Sequence, residues 1–270
     1  MTQDERLDIL VKGFKADSGE YRDLPTPESA EEKRQLLRSL MNVRMPRPLT
    51  EDLRLVQDEY LRVRAEEKGI VTLDSIPALG STRPFADKLS LWQGDITRLQ
   101  ADAIVNAANS AMLGCFRPCH NCIDNCIHTY AGVELRAECA RQMEALRRRY
   151  GRRYEQPTAV PMLTDGCNLP AKKIVHIVGP IVDGALTAEH EQQLAACYRN
   201  TLDLCAENAL KSVAFCGIST GVFRFPKVRA AELAAQAVTD WLSKHPDKME
   251  RVIFAVLSDN SREIYEQVLS

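Results

Sequence analysis

Residues 91–132 read LWQGDITRLQADAIVNAANSAMLGCFRPCHNCIDNCIHTYAG. A short apolar strand, a Gly-Asp-Ile turn, a second apolar strand and an Asn-rich loop lead into a Cys/His cluster and then a helical pattern. Cys115, Cys119, His120, Cys122 and Cys126, with His128 close behind, put thiols and imidazoles at spacings of one to five residues. Those are the donor types and spacings that a tetrahedral zinc site needs. A carboxylate, Asp124, and two amides, Asn106 and Asn109, flank the cluster. Metal ligands, an acid and amides together point to a polar small-molecule site whose walls the rest of the chain must supply.

Downstream, the pattern of the quoted stretch continues. Leu89–Trp92, Ala103–Ala107, Ala159–Met162, Ile174–Val178, Val213–Cys216 and Val252–Leu257 are apolar runs of strand length, with helical patterns near 123–149, 189–208, 227–244 and 259–269. Strands alternating with helices predict a layered α/β fold with a largely parallel sheet buried on both faces. Ligands of such sheets sit beyond the carboxyl ends of the strands, so the loops after Ala107, Met162, Val178, Cys216 and Leu257 are where function is expected.

Upstream, the character is different. Leu7, Leu10, Val11 and Phe14 recur at helical spacing, as do Leu36, Leu37, Leu40 and Met41. Thr50 is the expected N-cap of a third helix containing Leu53, Val56, Tyr60 and Leu61, with Gly69 as its stop. Residues 70–85 read as loop with a short strand. The chain is thus expected to comprise a helical N-terminal extension over 1–85, with no visible chemistry, and an α/β domain over 86–270.

Composition narrows the class. Lys and Arg number 35 against 37 Asp and Glu, a formal net charge of −2, so no bulk basic excess argues for nucleic acid. The local run at Arg147–Arg149, Arg152 and Arg153 reads as a solvated helix end favoured by the macrodipole. The acidic amphipathic N-terminus lacks the basic and apolar regions of a signal peptide, and no apolar run approaches the ~18 residues of a membrane span. A cytoplasmic protein with no nucleic-acid or membrane partner is expected. Nine cysteines, an odd and clustered set, favour metal over a disulfide framework. Cys139, Cys167, Cys197 and Cys205, outside the cluster, are expected to be small buried hydrophobes.

Three motifs carry chemistry. CGISTGVFRFP, residues 216–226, follows a strand and precedes a helix; its backbone N–H groups and hydroxyls suit an anion such as phosphate. It is not a P-loop, having no Lys-Ser/Thr after the second glycine, and the plain alternative is an ordinary turn. Asp95 in GDIT could accept from an exocyclic amine or a ribose hydroxyl, but capping its own turn is favoured. Asn106 and Asn109 in NAANS could bond a sugar hydroxyl or simply hold their own loop. In the Cys/His cluster, Cys115-x4-His120-x-Cys122, Cys119-x2-Cys122 and Cys122-x3-Cys126 are all usable spacings. No second Cys pair completes a closed four-ligand knuckle, which favours an open three-ligand site over buried thiols. His128 is read as structural.

GDIT, NAANS, CIDN-x-IH-x-x-AG, NLPAK-x-I-x-H-x-VGP and GISTGVF, in that order over about residues 87–270, together resemble the macrodomain family. The loop GCF-x-P-x-H-x-CIDN is most similar to that of the zinc-dependent macrodomains, bacterial protein-ADP-ribose hydrolases. The resemblance implies a three-layer α/β/α fold with a mixed, mostly parallel sheet, binding ADP-ribose along a cleft at the strand ends. It assigns Asp95 and Ile96 to the adenine. Gly217, Ile218, Ser219, Thr220, Gly221, Val222 and Phe223 take the diphosphate, and Asn109 the distal ribose. It makes Cys115, His120 and Cys122 the ligands of one Zn2+ per chain and Asp124 the acid near the distal ribose, with Asn109 its companion. The implied activity is zinc-dependent removal of mono-ADP-ribose from modified proteins, cleaving the linkage to acidic side chains. ADP-ribose and a mono-ADP-ribosylated protein are then the partners. The alternative is a non-catalytic ADP-ribose reader with structural zinc, and a zinc-stabilised nucleic-acid binder is the third and least favoured reading.

Overall fold

The computed structural model describes residues 1–270, which divide into two compact units. Residues 1–69, 113–154 and 166–169 form one; residues 70–112, 155–165 and 170–270 form the other. The helical N-terminal region therefore shares its unit with residues 113–154, which lie beyond the linear boundary at 85/86.

The first unit is helical. Helix α1 spans Gln3–Asp17, α2 Ala30–Val43 and α3 Glu51–Lys68, followed in space by α4, Ile123–Ala131, and α5, Val133–Tyr150. Thr2 and Glu5 close a reciprocal capping box at the start of α1, and the Ser29 hydroxyl accepts from the Glu32 N–H at the start of α2. Thr50 occupies the expected N-cap position of α3 but makes no capping bond through its side chain. Leu7, Leu10, Val11 and Phe14 of α1 pack against Leu37, Leu40 and Met41 of α2 and Tyr60 and Leu61 of α3. Each such side chain gains about 1.5–3 kcal/mol by leaving water, before the entropy of ordering it is deducted. The helix expected over 123–149 is in fact two. Gly132, at φ +98°, ends α4 and starts α5, a backbone turn that an L side chain resists.

One buried cation ties this unit together. Arg136 of α5 donates from Nε to the Leu113 carbonyl at 2.7 Å and from Nη1 to the carbonyls of Met41, Asn42 and Arg44 at 3.2, 2.8 and 2.5 Å. Its guanidinium lies 4.2 Å from the Phe116 ring centroid. Burial lowers its pKa to about 10, which still leaves it charged at neutral pH.

The second unit holds the sheets. Strand β1, Val71–Thr72, pairs in parallel with β3, Leu99–Gln100. The main sheet comprises β2 (Leu89–Gln93), β4 (Ala103–Ala108), β5 (Met162–Asp165), β6 (Lys173–Val178), β7 (Ser212–Phe215) and β8 (Arg251–Val256). Their order is β2-β8-β7-β4-β6-β5, parallel throughout except for β5 against β6. Helices α6 (Ala188–Glu207), α7 (Lys227–Lys244) and α8 (Asp259–Leu269) complete the unit. Strands β4, β6, β7 and β8 are buried almost end to end, as the continuous apolar runs imply. The strand expected over 159–162 instead begins at Met162 and runs antiparallel; Ala159 itself sits at φ +63°. Of the outlying cysteines, Cys139, Cys197 and Cys205 are buried as expected, but Cys167 is exposed. Its backbone, at φ +53°, follows β5 in a turn rather than in the core.

The chain leaves β4 toward β6 on one side and leaves β7 toward β8 on the other, so the strand order reverses between β4 and β7. Ligands of doubly wound sheets bind at that reversal, at the carboxyl ends. No helix is long and apolar enough to cross a membrane.

Replacing Arg136 with Met strands four carbonyls that now share its protons. We expect Arg136→Met to lower the unfolding free energy by about 3–5 kcal/mol, read by urea denaturation, whereas a loss under about 1 kcal/mol would show that the guanidinium is not what holds these segments.

Candidate functional site

In the second unit, the loops after β2, β4, β6 and β7 leave the same edge of the sheet, because these strands are parallel. The loop after β7 is the most sharply shaped. Gly217 C=O accepts from the Thr220 hydroxyl at 2.9 Å, Ser219 C=O from the Phe225 N–H at 3.0 Å and Gly221 C=O from the Arg224 N–H at 3.0 Å. Those turns put Ser219 at φ +62° and Arg224 at φ +58°. No protein acceptor takes the N–H groups of Ile218, Ser219, Gly221 or Val222. Ser219 is buried, yet its hydroxyl has no hydrogen-bond partner. An anion is the natural acceptor for such a set of donors. Val222 is 74% exposed at the loop's tip. Phe223 C=O accepts from the Val182 N–H at 2.9 Å, linking this loop to the one after β6.

Gly179, at the end of β6, has a role the motif reading missed. A Cβ there would stand 2.7 Å from Ile218 Cγ2 and closer still to Ser219 Oγ. Only a glycine lets the loop lie against the end of the strand. The VGP ending of the β6 motif was its one visible signal.

The other predicted nucleotide contacts fold as follows. Asp95 Oδ1 accepts from the Thr97 N–H at 3.0 Å and from the Thr97 hydroxyl at 2.6 Å, capping a one-turn 3-10 helix over Ile96–Arg98. Capping, the favoured reading, is thus its role within the chain. Ile96 is buried beside it. Asn109 Oδ1 accepts from the Ala111 N–H at 3.1 Å, so this amide also shapes its own loop. Asn106 is fully buried within β4, not at its end. Its Nδ2 donates to His176 Nδ1 across the β4–β6 pair at 3.1 Å, and His176 Nε2 meets the Thr164 hydroxyl of β5 at 2.9 Å. With Nδ1 accepting, the ring proton sits on Nε2, and the chain Asn106–His176–Thr164 latches three strands. Burial lowers the His176 pKa to about 3, keeping the ring neutral.

In the first unit, the sulfurs of Cys115 and Cys122 and a ring nitrogen of His120 all lie within 4.8 Å of one another. Cys115 Sγ is 3.7 Å from His120 Nδ1. Donors around tetrahedral Zn2+, bonded at about 2.0–2.3 Å, stand roughly 3.3–3.8 Å apart, so the three residues need only small adjustments to fit the ion. Cys119 and Cys126 do not belong to this group. Cys122 is the N-cap of α4, its sulfur accepting from the Asn125 N–H at 3.4 Å. Burial, with Cys115 and Asp124 adding to it, raises the Cys122 thiol to about 12. A divalent cation reverses that tendency, because a coordinated thiol gives up its proton. Asp124 follows in the first turn of α4, 5% exposed, with Oδ1 3.6 Å from His128 Nε2. His128 is buried, as a structural histidine should be.

A mostly parallel sheet whose strand order reverses beside an anion-ready Gly-Ser-Thr loop defines a nucleotide-type α/β fold. The macro domain model matches residues 105–234. A protein-ADP-ribose hydrolase of Treponema medium is 44% identical over 271 residues, covering 100% of both chains. A protein-ADP-ribose hydrolase of Staphylococcus aureus is 39% identical over 267 residues, 98% of this chain and 95% of its own. Among solved structures, the Trypanosoma brucei macrodomain in complex with ADP-ribose superposes with a TM-score of 0.66 at 26% identity, over 90% of this chain and 97% of that one. The Oceanobacillus iheyensis macrodomain with ADP gives 0.58 at 34% identity, over 68% and 90%. The chain belongs to the macrodomain family.

The His176 latch has a pH signature. An ordinary histidine ionises near pH 6.5, so a native-state pKa of about 3 gives stability that is whole above pH 6.5 and drains as pH falls toward 3. Between pH 7 and pH 5 the wild type should lose about 2 kcal/mol of unfolding free energy more than His176→Gln, and equal losses in the two proteins would refute the assignment.

Proposed function

We propose that this protein hydrolyses mono-ADP-ribose from modified proteins, that it depends on one Zn2+ held by Cys115, His120 and Cys122, and that it acts on acidic side-chain linkages. The observation that carries the reading is the trio of soft donors gathered within 4.8 Å, two residues ahead of a buried carboxylate. Two relatives of nearly full-length coverage that bear the name protein-ADP-ribose hydrolase support the activity.

The second unit's loops supply binding. The unengaged N–H groups of Ile218, Ser219, Gly221 and Val222, with the Ser219 hydroxyl, receive the diphosphate; Thr220 and Phe223 shape the loop around it. Asp95 and Ile96 meet the adenine. Asn109 contacts the distal ribose.

The substrate bond joins a protein carboxylate to the anomeric carbon of that ribose. Water adds to the anomeric carbon, the bond to the carboxylate oxygen breaks, and the products are ADP-ribose and the free acid. Asp124 accepts the proton that the attacking water sheds. When bound, Zn2+ supplies Lewis acidity toward oxygen at neutral pH. The macrodipole of α4 favours a carboxylate in its first turn, and the His128 ring lies beside Asp124, its Nε2 3.6 Å from Oδ1.

Removing the metal should abolish turnover of an ADP-ribosylated substrate while leaving ADP-ribose affinity within a few-fold, since the phosphate loop needs no metal. Turnover that persists after metal loss has been verified by elemental analysis would overturn zinc dependence. Asp124→Asn should cut kcat by about 10²–10⁴-fold with ADP-ribose binding retained, and unchanged kcat would leave the carboxylate out of the chemistry. Gly179→Ala should instead weaken ADP-ribose binding by about tenfold or more in calorimetric titration, because each 1.4 kcal/mol of loop distortion is a factor of ten. A non-catalytic reader would show the Gly179 effect and no turnover at all.

A further inference from the structure

Helix α2 lies far from the Cys/His loop in sequence, yet one stripe of it contacts that loop throughout. The stripe is Gln35, Arg38, Ser39 and Asn42, the i, i+3, i+4, i+7 positions of a single face. Arg38 Nη2 donates to the carbonyl of His120 at 2.8 Å and to Asn125 Oδ1 at 2.9 Å. Asn125 passes the constraint on. Its Nδ2 donates to the carbonyls of Cys115 at 3.3 Å and Arg117 at 3.0 Å, and its N–H to the Cys122 sulfur at 3.4 Å. One guanidinium is therefore linked, directly or through Asn125, to all three donor residues. Asn42 Oδ1 accepts from the Cys119 N–H at 2.9 Å, and the Cys119 sulfur lies 3.2 Å from Ser39 Oγ and 3.5 Å from the Gln35 carbonyl.

We infer that Arg38 is a positioning residue for metal binding, and that the polar stripe of α2 pre-shapes the Cys115–Cys122 loop to receive a divalent cation. This rests on the reading of Cys115, His120 and Cys122 as zinc ligands. Stability alone is a poor reason to place an arginine here. Its Nε–H is shut off from water with no acceptor, a desolvation cost that an apolar side chain avoids. Its gain lies in the loop: without Arg38, the backbone at His120 and the amide of Asn125 lose the anchor that sets ligand spacing. The apolar side chains of α2, Leu37, Leu40 and Met41, serve the core from another face. The helix thus does two jobs with two faces.

The test is zinc affinity of the full-length reduced protein, by competition with a chromogenic chelator, together with the Co2+ absorption spectrum, whose thiolate charge-transfer and d–d bands report ligand geometry. Arg38→Met should bind zinc about 10–100-fold more weakly with a shifted Co2+ spectrum and Arg38→Lys should fall between it and wild type, while Arg34→Met should stay within about twofold. Arg34 is a suitable control, being one turn away on the same helix and paired with Glu31 at 2.9 Å rather than with the loop. Wild-type affinity and an unchanged Co2+ spectrum in folded Arg38→Met would overturn the role of Arg38 and leave the metal site standing. Wild-type protein that takes neither zinc nor cobalt would overturn the metal reading, and this inference with it. Should Arg38→Met not fold, Arg38→Lys decides by the same comparison, and wild-type affinity in it overturns the proposal.

Discussion

A stretch of backbone with no helix or strand of its own must still find partners for its buried carbonyls and N–H groups. Residues 113–122 are such a stretch, and they carry the Cys/His trio. Side chains from helices do what a ladder would otherwise do: Arg136 takes the Leu113 carbonyl, Asn125 those of Cys115 and Arg117, Arg38 that of His120, and Asn42 the Cys119 N–H. The loop's shape is thus written in four side chains outside it. Arg136 also holds the end of α2, so the helix that braces the loop is itself fixed by the loop's neighbour. This closed set of bonds, with Val133 in the shared apolar core and Gln57 bonded to the start of α5, joins residues 1–69 and 113–154 into one compact unit despite their separation in sequence.

The alternation of strands and helices was legible because buried parallel strands are continuous apolar runs, and KIVHIV and RVIFAV could be little else. The helical spacing of α1 to α3 was legible for the same reason, since burial imposes a period. What failed did so where local geometry outweighs periodicity. Gly132 lies inside an unbroken helical pattern and yet ends a helix, and Ala159 opens an apolar run from a left-handed turn that no strand contains. The two-residue strand β3 is too short to carry a pattern at all.

The candidate site was legible in its donor types and not in its supports. Cysteines and histidines announce themselves by type; Arg38 and Asn42 look like the ordinary polar face of an amphipathic helix, and only the fold shows what they touch. Polar residues inside apolar strands mislead in the opposite direction. Asn106 stands in the same NAANS motif as Asn109, but it lies inside a central strand covered on both faces, and it spends its amide on His176. A buried hydrogen-bonded latch and a ligand contact demand the same residue type, so a single sequence cannot separate them.

Backbone strain follows the same division. Eight non-glycine residues adopt positive φ, among them Met112 and Cys119 around the Cys/His loop and Ser219 and Arg224 in the loop after β7. Such conformations cost of order 1–3 kcal/mol each and persist only where surrounding structure over-determines them. For Cys119 that structure is Asn42 and Ser39; for Ser219 it is the bond its carbonyl accepts from the Phe225 N–H and the close approach of Gly179. At Cys119 the turned residue is fully engaged, its N–H by Asn42 and its sulfur by Ser39 and the Gln35 carbonyl, whereas at Ser219 the buried hydroxyl meets no protein partner. The strained turn at Ser219 leaves that hydroxyl and the N–H groups of Ile218, Ser219, Gly221 and Val222 without protein acceptors, the kind of donor set that an anion satisfies.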